Sequence, residues 1–578
     1  MTGPAAPKDP EKARPFFYIL KDKDIFGERQ KDGTGIQFIY ENDGRLINSA
    51  QITGNVTDKE ELTLLETVEG FGRLVHSIGV SVETDRPKET AEFVFQMYGK
   101  KDLYGGGTNL TTSLKCDGME HRIYLSDYRW TEDDHVPGQI KILFAAPERM
   151  GKVSVRLFLN DGYEAPPEEE DLVIDMHSEE YCGMISRSLL QLGNPYRIRK
   201  AIEKSKAGKE VTLAYIGGSI TQGAGAIPIH TECYAYKSFQ LFQNRFSTQN
   251  NVRFIKAGVG GTPSELGMIR FDRDVLREGE RPDIVVIEFA VNDEGDETKG
   301  VCYESLVRKV LKLPWKPAVV LLFSVFANDW NLQERLRPVG DLYDLPMVSI
   351  RDAVTPQFSL KCGAGRILSK NQFFYDIFHP NNTGHTIMAD CLQYLFERCD
   401  AAEPARVGTF VEGMTEEQIL SEKLSGPAVI GADFERIFLL DKKNRYVGAK
   451  IRAGSFTSTD IELQSVEMDG NLTQTPEFPY NWMYDGSRPQ MPGFEMEITC
   501  KSLFLIFKDS GEMDVGKANV FVNDVYCMTA DPHKNNWLHC NAVLLFWETE
   551  SRSHKVRIAV TEEDRNKKFT ILGFGYTI

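Results

Sequence analysis

Ser219, Asp376 and His379 are residue types that together can perform nucleophilic acyl transfer. Ser219 directly follows an apolar run, residues 211–216, and two glycines. His379 lies three residues after Asp376, and a carboxylate at that spacing can turn back onto the imidazole and fix its tautomer while the other ring nitrogen takes a serine proton. Taken alone, each segment also has a structural explanation, because Ser219 could cap a helix and His379 could be a packed or capping histidine.

Two further segments could supply hydrogen-bond donors to a developing oxyanion. Asn292 follows the apolar run Asp283–Phe289, where its side-chain amide could donate, although Asn-Asp also favours an Asx turn. The glycine-rich turn Gly258-Val-Gly-Gly-Thr262 could direct the backbone N–H of Gly261 into the same site. This turn lacks the G-K-[ST] sequence and the G-x-G-x-x-G register, so it does not indicate a phosphate-binding loop.

The apolar pattern in the middle of the chain predicts the elements that position these residues. Five apolar runs of strand length alternate with longer amphipathic segments: Val211–Ile216, Val252–Ala257, Asp283–Phe289, Ala318–Val325 and Leu345–Ile350. Buried strands that alternate with helices predict a mostly parallel sheet covered on both faces, here a three-layer α/β/α domain with a five-stranded parallel sheet. Ligands bind beyond the carboxyl ends of such strands, where we expect all four segments to meet.

The four segments, in this order, resemble the blocks of the SGNH (GDSL-type) hydrolase family. The matching blocks are Gly217-Gly-Ser-Ile-Thr221, the turn ending in Gly261-Thr262, Ala290-Val-Asn-Asp293 and Asp376-Ile-Phe-His-Pro380. The resemblance extends over roughly residues 210–400, about a third of the chain. One such block would be unspecific, whereas four in order are specific.

The resemblance implies a role for each matching residue. Ser219 would be the nucleophile, His379 the general base and Asp376 the residue that orients His379. The oxyanion hole would consist of the backbone N–H groups of Ser219 and Gly261 and the side chain of Asn292. The family's common G-D-S has an aspartate in place of Gly218, but that aspartate is not the triad acid. The Gly-Gly-Ser-Ile-Thr form is closer to the carbohydrate-esterase branches of the family. The resemblance implies neither a metal nor a cofactor.

Period-2 apolar patterns on both sides of the middle region predict two all-β sandwich domains of the jelly-roll type. We therefore expect an N-terminal β domain at residues 1–175, the SGNH domain at 176–405, a linker at 406–425 and a C-terminal β domain at 426–578. A β-sandwich in front of an SGNH domain also resembles carbohydrate esterase family 2. The C-terminal β domain is not part of that simpler arrangement.

Composition argues against several classes of partner. The 67 Lys and Arg against 84 Asp and Glu give a net charge of −17, which disfavours binding to nucleic acid or to an anionic membrane. The longest strongly apolar stretch, Ala318–Ala327, is about half of the roughly 20 residues that a membrane span needs. The ten cysteines include no C-x-x-C pair and the ten histidines show no ligand spacing, so we expect reduced thiols and no metal site. His385 is expected to be a packing or surface residue. The N-terminus lacks the apolar segment of a secretory signal, and we expect a cytoplasmic protein.

The leading hypothesis is a serine esterase that removes O-acetyl groups from plant-glycan oligosaccharides derived from xylan or mannan. It depends on the family resemblance, the flanking β domains and the expected location. Tyr480, Trp482 and Tyr484 are candidate sugar-contacting residues, although aromatic side chains of a sandwich mostly fill its core. The alternatives are a lipid or thioester hydrolase on the same fold and a non-catalytic carbohydrate-binding protein. Assembly into a homo-oligomer is left open.

Overall fold

The computed structural model describes residues 12–40, 44–102, 105–362, 364–402, 414–470, 474–488 and 492–578. An N-terminal β region, a middle α/β region and a C-terminal β region follow one another along the chain. The expected boundary at residue 405 and the linker residues 406–413 lie outside the described residues, as do the first 11 residues of the N-terminal domain.

The N-terminal domain consists of two antiparallel sheets and three helices. Its strands are β1 (Phe16–Phe26), β2 (Glu28–Arg29), β3 (Gly35–Tyr40), β4 (Val75–Thr84), β5 (Thr90–Gly99), β6 (Asn109–Lys115), β7 (His121–Tyr124), β8 (Asp134–Phe144) and β9 (Met150–Leu159). Its helices are α1 (Arg45–Thr53), α2 (Lys59–Leu64) and α3 (Val68–Leu74). The strand orders are β1-β9-β4-β7 and β2-β3-β8-β5-β6. Side chains of both sheets share one hydrophobic core, which includes Ile19 on β1 and Phe93 on β5.

The middle domain is built around one six-stranded sheet. Its strands are β10 (Leu189–Gln191), β11 (Val211–Gly217), β12 (Val252–Gly258), β13 (Ile284–Glu288), β14 (Ala318–Phe323) and β15 (Met347–Ser349). The order is β10-β15-β14-β13-β11-β12, in which β11 to β15 are parallel and β10 pairs antiparallel with β15. The α/β fold is thus as the apolar runs indicated, but the edge strand β10 was not predicted. Its three residues are too few to show the alternating apolar pattern of a strand.

Helices cover both faces of this sheet. They are α4 (Glu179–Ser186), α5 (Tyr196–Lys206), α6 (Ser219–Gln222), α7 (Ile229–Glu232), α8 (Tyr234–Phe246), α9 (Ser264–Phe271), α10 (Val301–Leu311), α11 (Gln333–Tyr343), α12 (Ile350–Phe358), α13 (Lys370–Phe373) and α14 (Asn382–Ala401). On β11, Val211, Leu213 and Tyr215 face one hydrophobic cluster, whereas Ala214 and Ile216 face the other. Because successive strand residues point to opposite faces, this alternation requires buried surface on both sides.

The C-terminal domain differs from a two-sheet sandwich, because eight of its strands belong to one hydrogen-bonded sheet. These strands are β16 (Phe438–Leu440), β17 (Ala449–Arg452), β20 (Trp482–Tyr484), β21 (Phe494–Asp509), β22 (Ala518–Val522), β23 (Val525–Ala530), β24 (His539–Val560) and β25 (Phe569–Thr577); β18 (Ser465–Glu467) and β19 (Gln474–Pro476) form a separate antiparallel pair. The sheet order is β16-β25-β21-β24-β22-β23, with β17 on β21 and β20 on β25.

A bulge in the pairing of β21 with β24 divides β21 into two parts that face the domain core with different residues. The register shifts between Cys500 and Ser502. Before the bulge, even-numbered residues such as Ile498 face the domain's own core, and after it odd-numbered residues such as Leu503 do. Cys500 pairs with Arg552 and Ser502 with Trp547, so the extra residues at this bulge lie on β24. Beyond the bulge, Phe504 points the other way and joins a cluster of the middle domain.

The C-terminal domain is packed on the middle domain through buried contacts. Phe504 lies in the same hydrophobic cluster as Leu266 on α9. Next to this cluster, Arg273 forms ion pairs with Asp274 and with Glu477 of the C-terminal domain. Glu477 and Asp274 are both buried, so this interface excludes water from its charged centre.

Part of the expected linker is a packed helix. Residues Glu416–Ser425 form α15, which begins with a capping box between Thr415 and Gln418. Leu424 joins the hydrophobic cluster of the middle domain, and Glu417 pairs with Arg197 on α5 at 3.0 Å. The polar sequence of this segment suggested a connector because its apolar residues are few, yet those few are the ones that pack.

Three chemical features of the chain as a whole bear on function. All ten cysteines are free thiols. Among the described residues, no three His, Cys, Asp or Glu side chains are grouped so that they could hold a metal ion. None of the described helices combines the length and the apolar character that crossing a bilayer would require.

Candidate active site

Ser219 stands at the carboxyl edge of the sheet, as the first residue of α6. Strand β11 ends at Gly217, and Gly218 makes the turn into the helix. A Cβ atom added at Gly218 would lie 2.6 Å from Nδ2 of Asn292, so a larger residue here would require the amide of Asn292 to shift.

Ser219, His379 and Asp376 form a chain of hydrogen bonds. The Ser219 Oγ lies 3.0 Å from Nε2 of His379. Nδ1 of His379 lies 2.9 Å from Oδ2 and 3.0 Å from Oδ1 of Asp376. With the proton on Nδ1, the imidazole donates to the carboxylate, and Nε2 is left to accept from the serine hydroxyl.

Asp376 is held in its charged form. Its Oδ1 accepts from the backbone N–H groups of Phe378 at 2.7 Å and His379 at 2.9 Å. Burial opposes ionisation, but the His379 charge, the hydrogen bond to that imidazole and the Arg45 charge outweigh it and lower the pKa of Asp376 to about 2. Arg45 belongs to α1, and its guanidinium lies over the Phe378 ring at 5.8 Å from the centroid. The N-terminal domain thus contributes a charge to the site.

Gly261 and Asn292 present hydrogen-bond donors at the same edge. Among the described residues, neither the backbone N–H of Gly261 nor Nδ2 of Asn292 has a hydrogen-bond partner, and Oδ1 of Asn292 is buried without one. Gly261 has a φ of +71°, a left-handed conformation that favours glycine. Both loops are tied together, because Oδ1 of Asp293 accepts from the N–H of Ser264 at 2.7 Å.

A buried carboxyl group outside the predicted motifs, that of Glu288, hydrogen-bonds to Thr221 on the helix that begins with Ser219. Glu288, the last residue of β13, is fully buried and accepts from Oγ1 of Thr221 at 3.0 Å. Oγ1 of Thr221 also contacts the hydroxyl of Tyr234 at 2.8 Å. Burial raises the pKa of Glu288 to about 7. A glutamate at the end of an otherwise apolar strand was the available signal.

His385 packs inside the domain, in line with the packing role expected of it. Its Nδ1 accepts from the N–H of Tyr234 at 3.1 Å, and its Nε2 donates to the carbonyl of Ala224 at 3.1 Å. Burial lowers the pKa of His385 to about 3, so the ring is neutral. Through Ala224, His385 holds the turn that includes Gly225. This turn contacts His379, because a Cβ added at Gly225 would lie 3.0 Å from Cβ of His379.

The C-terminal domain contacts the glycine turn through the side chains of Trp537, His539 and Gln464. Trp537 is 44% exposed. Its ring lies against Gly261, because a Cβ added at Gly261 would be 2.6 Å from Cζ2 of the indole. The indole stacks on His539, with centroids 4.5 Å apart. Gln464 donates from Nε2 to the carbonyl of Gly260 at 2.9 Å. Neither Trp537 nor Gln464 lies in a motif; a tryptophan in a polar turn, residues 531–538, was the available signal for Trp537.

Aromatic rings also line the other side of the site. Phe378 packs edge-on against His379, with ring centroids 6.1 Å apart. Phe326 contacts Phe378 at 5.1 Å and Trp330 at 5.7 Å between centroids. These three rings are only partly buried. They lie on the His379 side, whereas Trp537 lies on the Gly261 side.

Two of the three candidate sugar-contacting residues were wrongly assigned. Trp482 and Tyr484 are buried in the core of the C-terminal domain, where Trp482 packs edge-on against Phe494. The Tyr484 hydroxyl donates to the carbonyl of Arg565. Their rings have no free face because β20 is a paired strand of the sheet and not a loop. Tyr480 alone is open, 45% exposed, with Nζ of Lys443 5.2 Å above its ring.

Comparison with known proteins identifies the middle of the chain. Residues 215–387 match the GDSL-like Lipase/Acylhydrolase family. This range contains Ser219, Gly261, Asn292, Asp376 and His379. A search of curated proteins found no match.

Two solved structures resemble more of the chain. One is described as a two-domain esterase (CEX) active on acetylated mannans, with 23% identity, 68% of this chain and 98% of that chain covered, and a TM-score of 0.54. The other is the same esterase co-crystallized with mannopentaose, with 24% identity, the same coverage and a TM-score of 0.53. At this identity the likeness shows a shared fold.

Proposed function

We propose that this chain, whose middle part is a GDSL-like lipase/acylhydrolase domain, is a serine esterase that removes O-acetyl groups from mannan- or xylan-derived oligosaccharides. The observation that carries the proposal is the hydrogen-bond chain from Ser219 through His379 to Asp376. Beside it lie the N–H of Gly261 and the amide of Asn292, which have no hydrogen-bond partner in the part of the chain that the structure describes. A hydroxyl held by an oriented imidazole beside free N–H groups is the arrangement that acyl transfer requires.

Each group has a defined part in the reaction. Ser219 Oγ attacks the ester carbonyl as Nε2 of His379 takes its proton, and the carbonyl oxygen becomes an oxyanion. The N–H groups of Ser219 and Gly261 and Nδ2 of Asn292 stabilise that charge. His379 then gives the proton to the leaving sugar hydroxyl, which leaves an acetyl-enzyme. Water attacks this ester with His379 again as base, and acetate and free Ser219 result.

The surroundings of the site support a sugar substrate. Exposed or half-buried aromatic rings lie on both sides, with Trp537 next to Gly261 and Phe378 next to His379. Such rings can stack on the apolar faces of pyranose rings and leave the sugar hydroxyls to water. A structure of the same fold is described as active on acetylated mannans, which makes mannan-derived oligosaccharides the first substrates to test.

The test is mass spectrometry of acetylated manno- and xylo-oligosaccharides incubated with the wild type and with Ser219→Ala. Stepwise loss of acetyl groups with the wild type alone is the expected result. Cys182→Ala, which removes an exposed thiol on α4, serves as the matched control and should be as active as the wild type. Cleavage of long-chain esters without deacetylation of the sugars would replace this proposal with a lipid or thioester hydrolase. No reaction in either panel would favour a carbohydrate-binding protein.

A further inference from the structure

The peptide that joins Gly260 to Gly261 is held on its carbonyl side by another domain. Nε2 of Gln464 donates to the carbonyl of Gly260 at 2.9 Å. The N–H of the same peptide belongs to Gly261 and has no partner within the described residues. Because a trans peptide is planar, its C=O and N–H point in opposite directions. A hydrogen bond that fixes the carbonyl therefore fixes the direction of the N–H.

Gln464 is itself held in one orientation. It is 8% exposed, and its backbone carbonyl accepts from the N–H of Glu477 at 2.8 Å. Its Oε1 accepts from the backbone N–H of Cys540 at 2.9 Å. Since a backbone N–H can only donate, the oxygen of the carboxamide must face Cys540, and the amino group must face Gly260.

The other side of the loop is tied to the helix of the nucleophile. The N–H of Gly260 donates to Oε1 of Gln222 at 3.0 Å. Gln222 is the last residue of α6, which begins at Ser219. The loop is thus tied both to the serine helix and to the C-terminal domain, and the N–H of Gly261 keeps no partner within the described residues.

We propose that Gln464 is a positioning residue, which holds the Gly261 N–H in line with the oxyanion that forms when Ser219 attacks. The C-terminal domain then takes part in the chemical step, in addition to any contact with substrate. The inference rests on the proposed function, because it requires an oxyanion at this place. A donor that acts on the developing charge affects kcat, whereas a substrate contact affects KM.

The test compares two interface variants on p-nitrophenyl acetate, which is too small to need a sugar site. Gln464→Glu keeps the shape of the side chain but sets an oxygen against the carbonyl of Gly260. Arg277→Gln removes an ion pair with Asp469 across the same interface and does not touch Gly260. We expect Gln464→Glu to lower kcat by about 10- to 100-fold with KM within about twofold of wild type, and Arg277→Gln to change neither by more than about twofold.

A second measurement separates positioning from general loosening. Methylboronic acid forms a tetrahedral adduct on a reactive serine, with an oxygen in the oxyanion position. Its inhibition constant should rise for Gln464→Glu in parallel with the fall in kcat. Full kcat, or full kcat with a raised KM, would overturn the inference. If Gln464→Glu does not fold, Gln464→Met removes the donor without adding charge and is judged by the same criteria.

Failure of this inference is distinguishable from failure of the proposed function. The proposed function would be overturned if the wild type showed no hydrolysis, or if its hydrolysis persisted in Ser219→Ala. An active wild type with an equally active Gln464→Glu would overturn only the role of Gln464.

Discussion

The side-chain amide of Asn292 lies directly against the backbone of Gly218, at a separation that leaves no room for a Cβ atom. The two residues come from different strand ends, β11 and β13, which are adjacent and parallel. A glycine before the serine therefore allows the expected oxyanion donor to sit next to the expected nucleophile.

Restoring the family's aspartate at this position should damage the enzyme. In Gly218→Asp, the new Cβ would lie 2.6 Å from Nδ2 of Asn292 and would displace the amide. We expect kcat to fall by about 100-fold or more, the range for loss of one oxyanion donor. Steady-state kinetics on p-nitrophenyl acetate measures this. Gly295→Ala, at a site with nothing within 4 Å of the new carbon, is the control and should keep wild-type kcat. A fully active Gly218→Asp would contradict this prediction and mean that the new carbon does not displace the amide of Asn292.

Asp376→Asn should abolish most activity at every pH. The pKa of Asp376 is lowered to about 2, so this carboxylate is charged throughout the working range, and the acid limb of a pH profile should come from another group. Loss of its charge should reduce kcat by about 10⁴-fold, because the imidazole loses its tautomer and its counter-charge.

The same residue links stability to pH. A carboxyl whose folded pKa lies below its usual 3.8 adds stability above about pH 4 and loses it as the pH falls toward 2. Urea denaturation of wild type and Asp376→Asn should therefore differ more at pH 6 than at pH 2.5. A difference that does not change with pH would contradict the charged state.

The α/β fold was predictable because its signals are local. Continuous apolar runs such as Ala318–Val325 indicate strands buried on both faces, and the glycine turns mark where those strands end. The short edge strand β10 and the single sheet of the C-terminal domain were not predictable. The first is three residues long, and the second depends on which strands pair with the long strands β21 and β24.

The candidate site was likewise predictable where the signal is a local motif and not predictable where it depends on distant segments. Ser219, Gly261 and Asn292 could be singled out because each lies in a short motif just after a strand. Asp376 and His379 could be singled out because they form a D-x-x-H motif, which lies between α13 and α14. Contributions from the flanking domains were not found, because a motif does not report which distant segment covers it. Trp482 and Tyr484 were misassigned for a different reason, since composition does not show that β20 is a paired strand whose rings fill the core of its own domain.

Glu288→Gln should stabilise the protein at neutral and higher pH. Burial raises the pKa of Glu288 to about 7, above its usual 4.5, so the folded state favours the neutral form. The neutral carboxyl makes its full contribution to the free energy of unfolding below about pH 4.5, and this contribution is lost as the pH rises to about 7. The amide mimics the neutral form. The free energy of unfolding of the variant should therefore exceed that of wild type by on the order of 3 kcal/mol at pH 8 and by little at pH 4.5. Urea denaturation at both pH values measures the gain, with exposed Glu294→Gln as control. An equal effect at both pH values would contradict the raised pKa.

Trp537→Ala should separate sugar recognition from chemistry. The ring lies against Gly261 but is 44% exposed, so its outer face is free to contact a substrate larger than an acetyl group. We expect KM for acetylated manno-oligosaccharides to rise by about tenfold, since loss of one aromatic contact is worth about 1.4 kcal/mol, while kcat/KM for p-nitrophenyl acetate stays within about twofold. Trp547→Ala is the matched control, because that ring is 42% exposed and packs on Phe434 instead. Equal losses on both substrates would mean that Trp537 supports the loop of Gly261 and does not bind sugar.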